Sequence, residues 1–224
     1  MIAGNGTGVD ISGGSGAVTN FATIETGGYG TYFGAGGSVT NFGTIRGARG
    51  GVAFFGTSDG TVTNAGTIIG GNGGAVQFGG GDDRLVADPG AVFIGKVDGG
   101  SGNNTLELAA GAGPGLLSGL GTSFVNFGSV VFDANAAWTV TLDNPAAFPG
   151  TISGFEKGDF IDLTGMAATG VSYSGGVLTV LNGSSVVATL NLAGPPTPPP
   201  ISPSVPTVMA ARTSELRSAF RRPT

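Results

Sequence analysis

Five Asp and Asn residues near the middle of the chain are the side chains best suited to chemistry. They are Asp59, Asp82, Asp83, Asn103 and Asn104. Asp82 follows Asp59 by 23 residues, and Asn103 follows Asp82 by 21. Carboxylate and amide oxygens are ligands that Ca²⁺ prefers, and glycine-rich turns can add backbone carbonyls. If the fold stacks these residues on adjacent coils, the spacing favours a calcium site; the alternative is that they serve as turn formers.

Two glycine-rich strings around these residues are similar to the calcium-binding nonapeptide Gly-Gly-x-Gly-x-Asp-x-apolar-x. They are FGGGDDRLV at residues 78–86 and GGSGNNTLE at residues 99–107. Phe78 replaces the first Gly in one string, and Asn104 replaces the Asp in the other. The two copies lie 21 residues apart instead of nine. The similarity therefore supports calcium as a candidate ligand without establishing it.

The composition excludes several other chemistries. The chain has no His and no Cys, which removes imidazole bases, thiolate nucleophiles, disulfides and the usual zinc ligands. A net charge of -5 argues against nucleic acid as a partner. No apolar run approaches the roughly 20 residues that a membrane-spanning helix needs. No signal peptide is visible at the start of the chain.

A repeated motif positions these residues in the fold. The string VTNFATI at 18–24 recurs as VTNFGTI at 39–45 and as VTNAGTI at 62–68. The period of 21 to 23 residues, rich in Gly and lacking helical spacing, predicts one coil of a right-handed parallel β-helix. The fold class is therefore all-β.

Equivalent residues of a parallel β-helix stack in columns. We expect the side chains of Asn20, Asn41 and Asn64 to form a structural ladder, because Asn tolerates positive φ and its amide can bond to the same amide on the next coil. The apolar positions of the motif predict inner columns. Their members are Val18, Val39 and Val62; Ile24, Ile45 and Ile68; and Phe33, Phe55 and Phe78.

Composition divides the chain into three parts. Residues 1–150 are predicted to form the coils, and residues 151–194 a smaller β-rich segment with Gly-Gly and Asn-Gly turns, antiparallel in part. Residues 195–224 contain eight of the 12 Pro and none of the 46 Gly, and we expect a disordered Pro-rich tail there.

The motifs GxVTNxGTI, DDRLVADPGAVFIGKVDGGSGNNTLE and TISGFEKGDFIDLTGM resemble those of bacterial β-strand-repeat surface proteins and autotransporter-type passengers. The resemblance covers most of residues 1–194. It implies a fibre-like, exported adhesin or haemagglutinin-like protein at the extracellular or outer surface. The implied partners are a host or neighbouring-cell surface, glycans, or further copies of the chain. Since no signal peptide precedes the repeats, we expect the chain to be a fragment of a larger protein.

The tail departs from the family pattern. In relatives the last strand looks as if it continues into a segment of the type YTTADF…SSDGHGGTDI, and a shifted reading frame starting at Pro196 permits that reading. The codon for Met209 ends in G and the codon for Ala210 begins with GC. The shifted codon that spans them is therefore GGC, which encodes Gly. Residues 195–224 are therefore either a frameshift product or an extended Pro-rich linker.

Three functional classes stay open at this point. The first is a structural, adhesive repeat region without catalysis, which we expect. The second is a polysaccharide lyase or glycosidase using clustered carboxylates, although the short glycine-rich turns lack the loops that build a substrate groove. The third is an ice-binding or calcium-stabilised solenoid. Ice binding is suggested by outward Thr columns, which are Thr19, Thr40 and Thr63, and Thr23, Thr44 and Thr67.

Overall fold

The three Val-Thr-Asn segments lie side by side and run in the same direction. Val18 pairs with Val39 and Val39 with Val62, each in a parallel ladder. Ile24, Ile45 and Ile68 stack in the same way on a neighbouring sheet. The columns predicted from the repeats are thus confirmed for Val and Ile.

The computed structural model describes residues 1–193 and the backbone of Ala210–Arg212. Within this part of the chain the protein is an all-β parallel solenoid of about seven turns, with 53% strand and 2% helix. The helical portion is the 3₁₀ turn Pro145–Ala147. The predicted tail, residues 195–224, otherwise lies outside the described residues, so both interpretations of it stay predictions.

The strands follow the coils in chain order. The first coils contribute β1 (Ile2–Gly4), β2 (Val9–Ile11), β3 (Gly16–Asn20), β4 (Thr23–Thr26), β5 (Tyr29–Phe33), β6 (Gly37–Asn41), β7 (Thr44–Gly47), β8 (Gly50–Phe54), β9 (Gly60–Asn64), β10 (Thr67–Gly70), β11 (Val76–Gln77), β12 (Arg84–Ala87), β13 (Val92–Ile94) and β14 (Val97–Asp98). The later coils contribute β15 (Thr105–Leu108), β16 (Gly115–Leu120), β17 (Phe124–Val125), β18 (Ser129–Phe132), β19 (Trp138–Leu142), β20 (Thr151–Ser153) and β21 (Phe160–Leu163). The last strands are β22 (Gly170–Ser174), β23 (Val177–Asn182), β24 (Ser185–Ala193) and β25 (Ala210–Arg212).

These strands form three sheets along the solenoid axis. Sheet I has the order β1-β4-β7-β10-β13, and sheet II the order β2-β5-β8-β11-β14-β17-β16-β19-β21-β25. Sheet III has the order β3-β6-β9-β12-β15-β18-β20-β24-β23-β22. Sheet I ends at β13, so the coils from β15 onward are built from sheets II and III.

Parallel pairing continues through β20 and β21, which stack on β18 and β19. The chain then reverses direction. Strands β22, β23 and β24 pair as an antiparallel meander, as expected for part of the segment 151–194, and β24 also lies parallel to β20. Strand β25 pairs antiparallel with β21.

One apolar column runs the length of sheet III. Its members are Val18, Val39, Val62, Leu85, Leu106, Val130, Ile152 and Leu192. All but the first are buried. Burying a side chain of this size stabilises the fold by about 1.5–3 kcal/mol, so the column is a main source of cohesion between coils.

The aromatic column differs from the prediction at one position. The rings that stack inside are Phe33, Phe54 and Phe78, with centroids 4.6 and 5.4 Å apart. Phe55, the residue predicted there, is 46% exposed. The reason is register: Val52 pairs with the inward Thr31, and the alternation of side chains along β8 then turns Phe54 inward and leaves Phe55 outside.

Thr31 is the one hydroxyl in an inner column of valines on sheet II. It stacks between Val9 and Val52, is fully buried, and its Oγ1 has no hydrogen-bond partner. We expect Thr31→Val to raise the free energy of unfolding by about 1–2 kcal/mol, since it removes an unsatisfied buried polar atom at constant shape. Urea unfolding measures this. Thr26→Val is the control and should destabilise, because the buried Thr26 hydroxyl donates to the Tyr29 carbonyl at 3.0 Å. A loss of stability in Thr31→Val would contradict this account.

Candidate functional site

The exposed members of the predicted site lie on successive coils and are tied together by hydrogen bonds. The backbone N–H of Asp82 donates to Asp59 Oδ1 at 2.8 Å. The backbone N–H of Asn103 donates to Asp82 Oδ1 at 2.8 Å, and the Asn103 amide adds a second bond to the same oxygen at 3.1 Å. Each of the two carboxylates therefore binds a backbone group of the following coil.

The buried members form a second column beside the first. Asp83 Oδ1 accepts from the N–H of Gly60 at 2.6 Å, and Asn104 Oδ1 accepts from the N–H of Asp83 at 3.0 Å. These side chains reach back to the preceding coil, opposite to the exposed column. Asp83 is 1% exposed and Asn104 is fully buried.

Gly60 allows the buried column to form. A Cβ at this position would lie 3.1 Å from the Phe54 ring and 3.2 Å from Asp83 Oδ1. A side chain would therefore crowd the carboxylate away from the Gly60 N–H. The preference for Gly here comes from a close approach and not from an unusual backbone angle.

The carboxylates do not form a ready cation site by themselves. Within residues 1–193, no group of three or more Asp or Glu side chains is placed to hold a metal ion. Calcium binding by Asp59, Asp82, Asp83, Asn103 and Asn104 therefore stays a prediction. It would depend on amide and backbone carbonyl oxygens in addition to the carboxylates.

Burial changes the acidity of Asp83. Loss of hydration raises the pKa of this carboxyl from 3.8 to about 6, against the lowering effect of the Gly60 N–H. The nearby charges of Asp59 and Asp82 are smaller contributions to the same rise. The second oxygen, Asp83 Oδ2, is buried without a hydrogen-bond partner. Ionising Asp83 is therefore costly in the folded protein.

We expect Asp83→Asn to stabilise the protein at alkaline pH. The unfolded carboxyl ionises near 3.8 and the folded one near 6, so the wild type loses stability as pH rises from about 4 through about 6. The variant has no charge to bury and should exceed the wild type by about 3 kcal/mol at pH 8, with little difference at pH 4. Asn104 shows that an amide fits this column, since its Nδ2 donates to the Asn126 carbonyl at 3.0 Å.

The measurement is urea unfolding of wild type and variant across this pH range. Asp82→Asn is the matched control, because it replaces an exposed carboxylate by an amide that can accept the same hydrogen bond. Its stability should still fall as pH rises, as that of the wild type does, because Asp83 is retained, and the fall should be slightly smaller because one charge that raises the Asp83 pKa is gone. Parallel pH profiles for Asp83→Asn and wild type would show that Asp83 ionises at no cost.

Asp159, which sequence reasoning did not single out, has the same structural role in a later coil. It is fully buried, and its two oxygens accept from the N–H groups of Trp138 and Glu156, both at 3.0 Å. Burial raises the pKa of its carboxyl. The 21-residue separation between Trp138 and Asp159 is the signal that could have identified it.

The predicted asparagine ladder is formed at the corner between sheets III and I. The Asn20 amide donates to Asn41 Oδ1, and the Asn41 amide donates to Asn64 Oδ1, both at 2.8 Å. Each amide also binds backbone carbonyls, as Asn41 does with Gly43 at 3.1 Å and Thr67 at 3.2 Å. Asn41 and Asn64 are fully buried. The ladder therefore satisfies polar groups inside the corner.

The reason given for Asn at these positions is wrong in one respect. Positive φ occurs outside glycine at Asn126 and Asn135 among the described residues, and not at the ladder positions. Asn20, Asn41 and Asn64 are the last residues of their strands. Asn is favoured here because its amide is both donor and acceptor and can bond along a column.

We expect Asn41→Ala to lower the free energy of unfolding by about 2–4 kcal/mol, because it breaks both ladder bonds and leaves buried polar groups unsatisfied. Asn20→Ala is the control at the end of the ladder and should cost about half as much, since it breaks one amide-to-amide bond. Urea unfolding at neutral pH compares the two. Equal losses would show that the interior position has no special importance.

The Thr columns stack in register but lie on different sheets. Thr19, Thr40 and Thr63 belong to sheet III. Thr23, Thr44 and Thr67 belong to sheet I. Each column is continued by a valine, Val86 and Val92 respectively. The two columns therefore do not form one flat array of Thr side chains, which is the arrangement that would resemble an ice-binding surface.

Sequence analysis missed an exposed group of aromatic side chains on sheet II. Tyr32 stacks on Phe55 with ring centroids 5.3 Å apart, and Tyr29 contacts the Phe55 ring edge-on at 5.5 Å. The guanidinium of Arg49 lies 5.3 Å from the centre of the Tyr29 ring. We call Tyr29, Tyr32, Phe55 and Arg49 the aromatic patch. Its signal was the Phe-Phe pair at 54–55, of which one ring can face inward and the other must face solvent.

A cavity of about 200 Å³ lies where sheet I ends. Its lining is apolar apart from Ser118 and includes Val92, Leu116, Phe124 and Trp138. No ionisable side chain lines it. The cavity therefore has no group able to transfer a proton.

The geometry defines a parallel β-solenoid whose clustered carboxylates bind its own backbone. Comparison of the chain with protein-family models, with curated proteins and with solved structures found no match. Within the described residues, no helix has the length and apolar character needed to cross a lipid bilayer.

Proposed function

We propose that this chain is a non-catalytic, adhesive repeat region of an exported surface protein. The observation that supports this most directly is the use of the clustered acidic groups. Asp59, Asp82 and Asp83 each accept a backbone N–H from a neighbouring coil, and so join turns of the solenoid. Carboxylates held this way connect successive coils, which stiffens the stack.

The enzyme alternative finds less support among the described residues. Glycosidases need two carboxylates across an open cleft, one holding a proton and the other ionised. The cavity at the end of sheet I contains no carboxylate. The raised pKa of Asp83 belongs to a side chain that is 1% exposed and bonded to Gly60. A buried acid of this kind serves folding more readily than catalysis.

A stiff stack of coils is suited to adhesion. Each coil contacts its neighbours along the axis, so side chains on the outer faces keep fixed spacings over the length of the protein. Many weak contacts at fixed spacing raise the overall affinity without strong single sites. The ring of Phe55, which is 46% exposed, shows that apolar contact area is available on these faces.

Beads coated densely with the full chain should adhere to epithelial or bacterial cell layers, because many weak contacts act together. Soluble chain should compete for the same cells at concentrations about a hundredfold higher than the bead-bound chain, which reflects avidity. Bead counts under flow provide the measurement. Coated beads that adhere no better than albumin-coated beads would contradict an adhesive role.

The same preparation tests the absence of catalysis. Acidic polysaccharides incubated with the chain should yield neither reducing ends nor unsaturated products. Product formation that is lost in Asp82→Asn or Asp83→Asn would overturn the non-catalytic assignment in favour of a carboxylate-dependent enzyme.

A further inference from the structure

The aromatic patch presents apolar ring surface to solvent next to polar groups. Phe55 is 46% exposed, Tyr29 and Tyr32 are half-buried, and Arg49 is exposed. The Tyr29 and Tyr32 hydroxyls have no hydrogen-bond partner within the described residues. Clustered aromatic rings rimmed by polar groups are typical of binding surfaces.

The strands around the patch supply a polar border. Tyr32 on β5 pairs with Asp10 on one side and with Ala53 on the other. Gln77 pairs with Ala53 on the next strand, so Asp10, Tyr32, Ala53 and Gln77 form one row in register, in which Ala53 is fully buried. The carboxylate of Asp10 and the amide of Gln77 can exchange hydrogen bonds with hydroxyl groups of a ligand.

Arg49 differs from most basic residues of the solenoid in its charge environment. Arg46, Arg84 and Lys96 each form an ion pair, with Glu25, Glu107 and Asp98 respectively. Arg49 forms none within the described residues, and its interaction there is with the Tyr29 ring. An exposed guanidinium without a carboxylate can take one from a ligand in a bidentate geometry.

We propose that the aromatic patch binds an acidic glycan, with a pyranose ring against the exposed aromatic surface and the sugar carboxylate at Arg49. The weakly positive C–H groups of a sugar face are attracted to the negative face of an aromatic ring, as a cation is. Asp10 and Gln77 lie in the same row of sheet II as Tyr32 and are polar side chains that can bond to sugar hydroxyls. The proposal rests on the adhesive role, because it names one class of partner for it.

The probes are hexagalacturonate and its fully methyl-esterified form, which keeps the rings and removes the negative charge. Saturation-transfer NMR and titration calorimetry with the full chain measure binding. We expect the acid to bind with a dissociation constant of about 1 mM, and the ester to bind about threefold to fivefold more weakly. Failure of both probes to bind at about 10 mM would overturn the proposal.

Three variants separate the contributions. Tyr32→Ala combined with Phe55→Ala should reduce binding of both probes at least about tenfold, because the ring surface is lost. Arg49→Gln should make acid and ester bind alike. Phe21→Ala combined with Phe42→Ala is the matched control, since it removes another exposed stacked pair, with centroids 5.1 Å apart, and should leave binding unchanged.

Folding of each variant is checked by urea unfolding, and Tyr32→Phe keeps the ring if Tyr32→Ala destabilises the coil. Equal loss of binding in the Phe21 and Phe42 control would show that the aromatic patch is not specific, and would overturn the proposal. If coated beads adhere to cells but the wild type binds neither probe, the glycan site is refuted and the adhesive role is not. Beads that fail to adhere would refute the adhesive role itself.

Discussion

The structure depends on one constraint: each coil stacks on the preceding coil, with its strands in register and parallel to those below. The parallel ladders place each residue against its counterpart about 4.8 Å away. In a repeat, a side chain therefore packs against side chains of the same type on the adjacent coils. Val39 on Val62 and Phe33 on Phe54 meet this condition by apolar contact, and Asn41 on Asn64 meets it by an amide that both donates and accepts. These three solutions account for much of the repeat.

Charged residues meet the same constraint less easily, since like charges at this spacing repel. Opposite charges face each other where Glu25 pairs with Arg46 in register. In the acidic columns the repulsion is relieved because the oxygens of Asp59 and Asp82 accept backbone N–H groups and the later position is an Asn. At Asp83, ionisation of the carboxyl stays unfavourable in the folded protein, because burial raises its pKa to about 6.

The repeats were sufficient to predict the coils, the Val, Ile and Asn columns and the stacking of the acidic residues, because each follows from spacing alone. Spacing could not separate Phe54 from Phe55, since two adjacent rings fit the pattern equally and the register of Val52 decides between them. It also could not find the aromatic patch, whose members come from separate strands and do not recur with the repeat. Nor could spacing predict that sheet I ends at β13, because the sequence has no periodic signal for it.

In both long sheets, parallel pairing gives way to antiparallel pairing at the same end of the solenoid. In sheet III the edge beyond β24 is occupied by β23, and in sheet II the edge beyond β21 is occupied by β25. A reversed strand offers a hydrogen-bonding pattern that does not match that of a parallel coil. The outer edges of β21 and β24 are therefore already occupied, so a further coil cannot simply extend the parallel ladders of these two strands.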